Sequence, residues 1–377
     1  MAKRIGLVSY HKDPNYGTMY QAFALAKAIS VLGGVPEYIR YKPIPYRSPL
    51  KSRIIEIVKW VLDKSGIRRI PITEYSFLKT KDFRNLVKKY DAFHDKHIPV
   101  SEILYFSNTV SESTKYYDFF VVGSDQTWSP TLNANPRTPN FLSFVEDKYR
   151  KRAYAPSIGS VHVNKGYQLR LVRELSSFEY LSCREFANSD MLSKALGRKV
   201  LHVLDPTLLL QAEDWQSLEE TVSMPEEYVL CYILGTKPCV SDYAERLGKD
   251  KGLPVYYMVT RPEYFQKQNK LVDISPEQFL WLMHHASYVV TDSFHGSVFC
   301  INFNRNFFSF AKRPTNDPTG LDNDRIMDFL TYVGLQNRFM NDGEMRIEDD
   351  IDFTSVNEFL SKAREESIQY LTAVISE

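Results

Sequence analysis

The chain has 377 residues, of which 44% are hydrophobic and 25% charged, and its 47 basic and 46 acidic side chains give a formal net charge of +1. This length exceeds the size at which one hydrophobic core usually stops growing, so we expect two domains. The small net charge disfavours nucleic acid as a partner, and the four scattered cysteines indicate neither a disulfide framework nor a zinc site.

The N-terminal apolar run is too short for a secretory signal, and no stretch approaches the roughly 18 apolar residues of a membrane span. We therefore predict a cytoplasmic protein. Residues 51–70 mix apolar and basic side chains. That pattern fits either peripheral contact with the inner face of the cell membrane or a helix packed on its own lobe.

The first half of the chain alternates strand and helix patterns. Residues 4–10 form an apolar run of strand type, residues 17–32 carry apolar side chains at spacings of three and four, and residues 37–41 form the next strand. Further strands are predicted at residues 118–122, 152–155 and 180–183, with helical patterns at 167–178 and 185–196. This alternation predicts an α/β fold with mostly parallel sheets.

A polar, Glu-rich stretch at residues 211–227 interrupts the alternation, and we place the lobe boundary there. The predicted division is residues 1–210, residues 211–350 and a C-terminal helix within residues 351–377. In the second lobe, strands are predicted at residues 228–234, 255–259, 288–291 and 307–310. A helix at residues 276–285 begins with the capping serine Ser275, followed by Pro276 and, at the position that closes a capping box, Gln278.

Ligands of open parallel sheets bind at the carboxyl ends of the strands. This rule selects four loops, at residues 9–17, 123–128, 184–185 and 292–296. The first loop contains Asn15, Tyr16 and Gly17 but lacks the glycine patterns of dinucleotide and nucleoside triphosphate sites. It fits an anion site and a structural turn equally well.

Three side chains in the other loops suit acid–base or anion chemistry. Asp125 follows a buried strand and either accepts a proton, binds sugar hydroxyls or caps local backbone. His295 lies near a helix N-terminus beside Ser293, where it is either structural or a general acid. Arg184 directly follows a strand, where a guanidinium group can grip a carboxylate or phosphate. Arg325 is a second candidate anion ligand, from the other lobe.

Six segments in this order together resemble the polysaccharide pyruvyl transferase family: residues 15–17, 121–128, 154–159, 182–185, 203–209 and 290–296. The resemblance implies two Rossmann-like lobes, similar to the GT-B type of glycosyltransferase. It also implies transfer of pyruvate from phosphoenolpyruvate to two hydroxyls of one sugar, which forms a cyclic ketal. We expect no metal and no cofactor, with phosphoenolpyruvate as the donor substrate and a sugar, free or lipid-linked, as the acceptor.

The resemblance carries over to His295 and Arg184. Some family members have an arginine two positions before the histidine, where this chain has Ser293, so the donor needs another cation and Arg325 is our candidate. The predicted site then has three groups. They are the catalytic residues His295 and Asp125, the donor-binding residues Arg184, Arg325, Ser293 and Gly296, and the acceptor-binding residues Asn15, Tyr16, Gly17 and Trp128.

Two other functions stay open on the sequence alone. A glycosyltransferase on the same frame would bind a nucleotide sugar, whereas the pyruvyl transferase would bind phosphoenolpyruvate. A non-catalytic carbohydrate-binding or assembly protein would turn over neither donor.

Overall fold

The computed structural model describes residues 2–43, 81–130, 132–133, 139–235, 237–260, 264, 266–312 and 324–376. The candidate membrane segment at residues 51–70 lies outside these described residues. Among the helices that are described, none has both the length and the apolar character needed to cross a membrane.

The first lobe is built on a parallel sheet. Its described strands are β1 (Arg4–Val8), β2 (Val35–Lys42), β3 (Val100–Phe106), β4 (Phe119–Val122) and β5 (Lys151–Ala153). They lie in the order β3-β2-β1-β4-β5, and every neighbouring pair is parallel. The central strands β1 and β4 are almost entirely buried, which explains why they read as unbroken apolar runs in the sequence.

Helices cover this sheet and connect its strands. Those described are α1 (Tyr16–Val31), α2 (Lys81–His97), α3 (Lys165–Leu175) and α4 (Phe186–Leu196). A pair of short parallel strands, β6 (Ser182–Cys183) and β7 (Leu201–His202), flanks α4 in the chain. The Asn15 side chain caps α1 by accepting a hydrogen bond from the Thr18 amide at 3.3 Å.

The second lobe repeats the architecture. Its described strands are β8 (Val229–Tyr232), β9 (Val255–Met258), β10 (Lys270–Leu271), β11 (Tyr288–Thr291), β12 (Asn306–Phe310) and β13 (Phe339–Met340). They lie in the order β10-β9-β8-β11-β12-β13, again all parallel. The helices from the lobe connection onward are α5 (Ala212–Gln216), α6 (Pro238–Lys251), α7 (Pro276–His285), α8 (Phe294–Asn302) and α9 (Asp324–Tyr332).

The last helix, α10 (Phe353–Ser376), follows the second lobe in the chain but contacts the first. The Tyr370 hydroxyl donates to the carbonyl of Ala153 in β5 at 2.8 Å, and the Leu204 amide donates to Ser367 Oγ at 3.0 Å. The Arg152 guanidinium also donates to the carbonyl of Val374. The helix therefore crosses back over the edge strand of the first sheet.

One continuous hydrophobic cluster spans both lobes. Tyr16 of α1 stacks on Phe279 of α7 with ring centroids 4.3 Å apart, and its hydroxyl donates to the carbonyl of Ile274 at 2.7 Å. The Tyr20 hydroxyl donates to the carbonyl of Pro276 at 2.5 Å. These buried contacts hold α1 of the first lobe against α7 of the second.

The predicted α/β fold with two parallel-sheet lobes is confirmed. The predicted helix at residues 276–285 and the predicted strand at residues 288–291 agree to the residue, and the capping box at Ser275 is present. The connection between the sheets runs from residue 203 to 228 and includes residue 210, the predicted boundary. Helices α2 and α6 were not predicted, because charged residues dilute their apolar pattern, and strand β3 was also missed.

Candidate active site

Each sheet has a point where neighbouring strands connect in opposite directions. In the first sheet these strands are β1 and β4: the chain continues from β1 to β2 on one side and from β4 to β5 on the other. In the second sheet they are β8, which is followed by β9, and β11, which is followed by β12. Loops leaving such a pair of strands diverge and leave a crevice at their carboxyl ends, which is where ligands bind in open α/β sheets. The loops after β1, β4, β8 and β11 all contribute to one cleft between the lobes.

This interlobe cleft has a volume of about 220 Å³. Its ionisable lining is mixed, with acidic Asp13, Asp125 and Asp292 and basic His295, Lys312 and Arg325. Three of the four loops selected from the sequence line it. The fourth, at residues 184–185, lies behind it. An anionic donor and a neutral, hydroxyl-bearing acceptor would both find partners among these groups.

His295 lies in the first turn of α8 and contacts the first turn of α1. A β-carbon placed on Gly17 would be 2.0 Å from His295 Nδ1, so only glycine at position 17 permits this approach of the two helix ends. The imidazole side chain is 13% exposed. Gly17 was predicted to bind the acceptor, and the structure gives it instead a steric role beside the catalytic candidate.

The carboxylate of Asp205 lies beside the same imidazole, next to its Nε2. Its Oδ2 lies 3.5 Å from His295 Nε2, an ion-pair distance at which no hydrogen bond is formed, and accepts a hydrogen bond from Arg184 Nη1 at 2.9 Å. Its Oδ1 accepts from the amide and hydroxyl of Thr207 at 3.0 and 2.7 Å. Burial alone would raise the pKa of Asp205, but these partners hold it well below its usual range.

Arg184 is buried behind the cleft. Its side chain is 2% exposed, and its guanidinium lies over the ring of Phe294 at 4.4 Å. Arg184 is not among the residues that line the cleft. The structure therefore corrects its prediction as a direct donor ligand, because the side chain contacts Asp205 and the back of Phe294 instead of the cleft surface.

Two other cations reach the cleft. Arg325, in the first turn of α9, is 7% exposed, and both of its terminal nitrogens lie 3.0 Å from the Gln126 amide when the amide oxygen faces them. Lys312 follows β12 and also lines the cleft. Arg325, which was predicted as a donor ligand, lines the cleft, and so does Lys312, which was not predicted.

Asp125 holds its carboxylate between two loops. Its Oδ2 accepts from the Thr18 hydroxyl at 3.0 Å, and its Oδ1 accepts from the backbone N–H of Gln126 at 2.8 Å. Its φ of +61° is in the left-handed region, which aspartate tolerates because its side chain can bond nearby backbone. Burial, and then the nearby Asp125, raise the pKa of Asp13. Both predicted roles of Asp125, capping and cleft chemistry, are compatible with this geometry.

The first turn of α8 leaves two amides without a partner in the described part of the chain. Ser293 caps the helix by accepting from the Gly296 amide at 3.2 Å, and the Ser293 carbonyl accepts from Ser297. The amides of Phe294 and His295 form no hydrogen bond with any described residue. Unpaired amides at a helix N-terminus are a favourable environment for an anion.

Ser293 and Gly296 were predicted to bind the donor, and the structure gives each of them a different role. The Ser293 side chain lines the cleft but is engaged in capping. Gly296 is buried, and a β-carbon there would be 2.6 Å from Thr291 Oγ1. Gly296 therefore lets α8 pack against β11 and does not line the cleft.

The residues that were predicted to bind the acceptor lie in different environments. Asn15 lines the cleft. Tyr16 is 6% exposed and belongs to the contact between the lobes. Trp128 is fully buried in the core of the first lobe, where its indole N–H donates to the carbonyl of Asn140 at 3.2 Å. The prediction that Trp128 binds the acceptor is therefore wrong, because no part of its ring reaches the surface.

One group outside the cleft combines metal-ligand types. Glu219, His284 and His285 bring three ligand atoms within 4.8 Å of one another. In the structure they form hydrogen bonds: His284 Nδ1 lies 2.8 Å from a Glu219 oxygen, and His285 Nδ1 lies 2.9 Å from the Trp281 carbonyl. These hydrogen bonds explain why the three side chains lie together near the C-terminal end of α7.

Sequence reasoning missed Asp205, Asp13 and Lys312 as site residues. Asp205 lies in a segment that carried the family resemblance, and that was the signal that could have identified it. Lys312 had no such signal, since a single lysine after a short strand resembles any surface lysine.

Solved structures with a similar fold share little sequence with this chain. A candidate UDP-N-acetylglucosamine 2-epimerase from Listeria monocytogenes has a TM-score of 0.50 at 9% identity, with 97% of each chain covered. The glycosyltransferase SnogD from Streptomyces nogalater has a TM-score of 0.45 at 12% identity over 100% of both chains. The heptosyltransferase WaaC from E. coli has a TM-score of 0.38 at 11% identity, covering 96% of this chain and 99% of its own. The likeness concerns the fold alone.

No curated protein matches the chain at a significant level. The model of the polysaccharide pyruvyl transferase family, however, matches residues 15–312, which is well over half of the sequence. The matched range includes every segment that carried the resemblance, and the interlobe cleft draws most of its lining from it. The chain therefore belongs to the polysaccharide pyruvyl transferase family.

Proposed function

We propose that this protein transfers pyruvate from phosphoenolpyruvate to two hydroxyls of one sugar in a surface polysaccharide or its lipid-linked precursor. The products are a cyclic ketal and inorganic phosphate. The observation that carries the proposal is the position of His295. It lies at the N-terminus of α8, beside the buried carboxylate of Asp205, in a cleft that also contains Lys312 and Arg325.

The donor brings a carboxylate and a phosphate, so it needs several positive or hydrogen-donating groups. Arg325 can bind one anionic group with two parallel N–H bonds, and Lys312 adds a point charge. The unpaired amides of Phe294 and His295 suit the phosphate oxygens. Arg184 acts from behind the cleft in this scheme, because it fixes Asp205 and the ring of Phe294.

His295 is the proposed proton carrier. Its Nε2 is buried and faces Asp205, whereas Nδ1 borders Gly17 without being fully buried, so Nδ1 is the ring nitrogen that remains for substrate. An ionised carboxylate only accepts hydrogen bonds, so Asp205 favours the tautomer with a proton on Nε2. The same arrangement fixes the orientation of the ring for proton transfer.

The proton balance of the reaction uses both acceptor hydroxyls. Protonation of the donor methylene makes the adjacent carbon electrophilic, and the first sugar hydroxyl adds to that carbon. Phosphate leaves with its electron pair, and the second hydroxyl adds to close the ketal. The two hydroxyl protons end on the new methyl group and on phosphate. Asp125, which faces the cleft, is the proposed acceptor of a hydroxyl proton.

The test is phosphate release from phosphoenolpyruvate with a panel of free and lipid-linked galactose, glucose and N-acetylmannosamine acceptors. We expect acceptor-dependent release that falls about a hundredfold or more in His295→Ala. The matched control is His162→Ala, at an exposed histidine outside the cleft. It should retain the activity of the unaltered protein.

Three results would contradict the proposal. Full activity in His295→Ala would remove this residue from the chemistry. Consumption of a nucleotide sugar, with no release of phosphate from phosphoenolpyruvate, would instead identify a glycosyltransferase. Binding of saccharide without turnover of either donor would identify a carbohydrate-binding protein.

A further inference from the structure

A second cavity of about 360 Å³ adjoins the interlobe cleft on the first lobe. The two share Tyr10 and Leu132 as walls. The second cavity lies beyond the carboxyl ends of β1 and β2, on the ligand-binding side of the sheet. We call it the tyrosine pocket, defined by Tyr10, His11, Ile39, Tyr41, Pro43 and Asn140. Its volume falls within the range of roughly 300–1,000 Å³ typical of small-molecule sites.

The lining of the tyrosine pocket differs from that of the cleft. None of the described residues around it is Asp, Glu, Lys or Arg, whereas the cleft has three aspartates, a lysine and an arginine. Tyr10 and Tyr41 offer aromatic rings, and Ile39 and Pro43 offer apolar surface. This combination disfavours an anion and suits a neutral ligand that has both an apolar face and hydroxyl groups. A pyranose ring has both.

A chain of hydrogen bonds fixes which nitrogen of His11 accepts. His94 Nδ1 lies 3.0 Å from Asp95 Oδ1, and that contact lowers the pKa of Asp95, so Asp95 accepts and His94 Nδ1 donates. In a neutral His94, Nε2 is then the acceptor in its 3.0 Å contact with His11 Nδ1. With the two rings in these tautomers His11 Nε2 is unprotonated, and it forms no hydrogen bond with any described residue.

His11 also stays uncharged near neutral pH. Burial, and then the neighbouring His94 and Lys12, lower the pKa of His11 to about 3. A neutral imidazole whose Nε2 can only accept is a suitable partner for a sugar hydroxyl. The relay from Asp95 through His94 thus prepares one hydrogen-bond acceptor at the pocket.

We propose that the tyrosine pocket binds a second pyranose ring of the acceptor, next to the sugar whose hydroxyls react in the cleft. The acceptor class is therefore a disaccharide or longer saccharide, with one uncharged ring against Tyr10 and Tyr41 and one of its hydroxyls donating to His11. This inference rests on the proposed function, because that function places the reacting sugar in the cleft.

The test measures saccharide binding directly, by saturation-transfer NMR and calorimetry on the full chain, with and without phosphoenolpyruvate. The probes are methyl glycosides of glucose, galactose, mannose and N-acetylglucosamine, and disaccharides of the same sugars. We expect at least one disaccharide to bind about tenfold or more tightly than either of its methyl glycosides. Tyr41→Ala should abolish that gain, and Tyr41→Phe, which keeps the ring, should retain most of it.

The matched control is Tyr149→Ala, at a tyrosine that is 59% exposed and outside both cavities. Should Tyr41→Ala fail to fold, His11→Phe tests the same pocket, because it keeps an aromatic ring and removes the Nε2 acceptor. Equal affinities for disaccharides and methyl glycosides, or an unchanged gain in a folded pocket variant, would overturn the proposal.

Phosphoenolpyruvate affinity, measured on the same samples, separates the two proposals. If the saccharide results hold but phosphoenolpyruvate does not bind, the tyrosine pocket stands and the proposed donor is wrong. If phosphoenolpyruvate binds and drives turnover but the disaccharide gain is missing, the donor stands and the tyrosine pocket is wrong.

Discussion

The imidazole of His295 lies directly against the α-carbon side of Gly17, across the boundary between the two lobes. A β-carbon on Gly17 would be 2.0 Å from His295 Nδ1, well inside any real contact distance. The closeness of two helix N-termini, one from each lobe, thus depends on a residue without a side chain.

Gly17→Ala should therefore displace His295 without unfolding the protein. A displacement of about 1 Å at a reacting group can reduce turnover by about a hundredfold, and we expect a loss of that order in phosphate release. The control is Gly166→Ala in α3, where a β-carbon would be no closer than 3.4 Å to its nearest neighbour. Equal activity in the two variants would show that the contact has no catalytic consequence.

Asp205→Asn should destabilise the fold as well as reduce activity. The substitution removes the closer of two carboxylates beside the buried guanidinium of Arg184, which keeps only Glu185, 3.6 Å from its Nε. Breaking a buried ion pair from one side costs about 3–5 kcal/mol, and we expect a cost near the lower end of that range. Urea unfolding measures this cost. Asp190→Asn removes an exposed partner of Lys194 and should cost less than about 1 kcal/mol. Similar losses in both variants would contradict the structural role of Asp205.

The cost of Asp205→Asn should also depend on pH. The folded-state pKa of Asp205 is depressed, so the unfolded chain binds the proton more readily, and the stabilisation by this carboxylate is present above the unfolded value of about 4. It is lost as the pH falls through the lower folded value. The difference in unfolding free energy between the two proteins should shrink below about pH 4, and a constant difference would refute the assignment.

Lys312→Gln should weaken donor binding selectively. A hydrogen bond to a charged group contributes about 1.5–3 kcal/mol, so we expect KM for phosphoenolpyruvate to rise tenfold or more while KM for the saccharide changes little. Lys194→Gln, at a lysine that is 77% exposed, serves as the control in the same steady-state assay. An equal rise in both KM values would place Lys312 outside the donor site.

Tyr16→Phe tests whether the Tyr16 hydroxyl stabilises the contact between the lobes or binds the acceptor. The Tyr16 hydroxyl donates to the buried carbonyl of Ile274, and its loss should lower the free energy of unfolding by about 1–2 kcal/mol with the saccharide KM unchanged. Tyr149→Phe is the exposed control. A raised saccharide KM with unchanged stability would restore the prediction made from the sequence.

The sequence was most informative where one local rule decides the outcome. Ser275, Pro276 and Gln278 together specify the start of α7, and the buried run at residues 288–291 can only be an inner strand. His295 and Asp125 were found because each follows such a strand. Local patterns of this kind depend on neighbours within one or two turns.

The rest of the site depends on long-range packing. The link between Asp205 and His295 joins residues far apart in the chain, and no local pattern encodes it. Trp128 follows Asp125 by three residues, yet its ring turns into the core while the Asp125 carboxylate faces the cleft. Arg184 looked like an exposed ligand because burial cannot be read from a position after a strand.

The position of α10 has a consequence for biosynthesis. The hydroxyl of Tyr370 pairs with the carbonyl of Ala153, which lies 217 residues earlier in the chain. Domains generally fold from the N-terminus as they leave the ribosome. Residues 179–180 pair with the backbone of β5 within the first lobe, but the buried apolar side chains of α10, such as Leu371 and Val374, arrive only after translation has passed through the whole second lobe. The nascent first lobe is thus a natural client for a chaperone that shields exposed apolar surface.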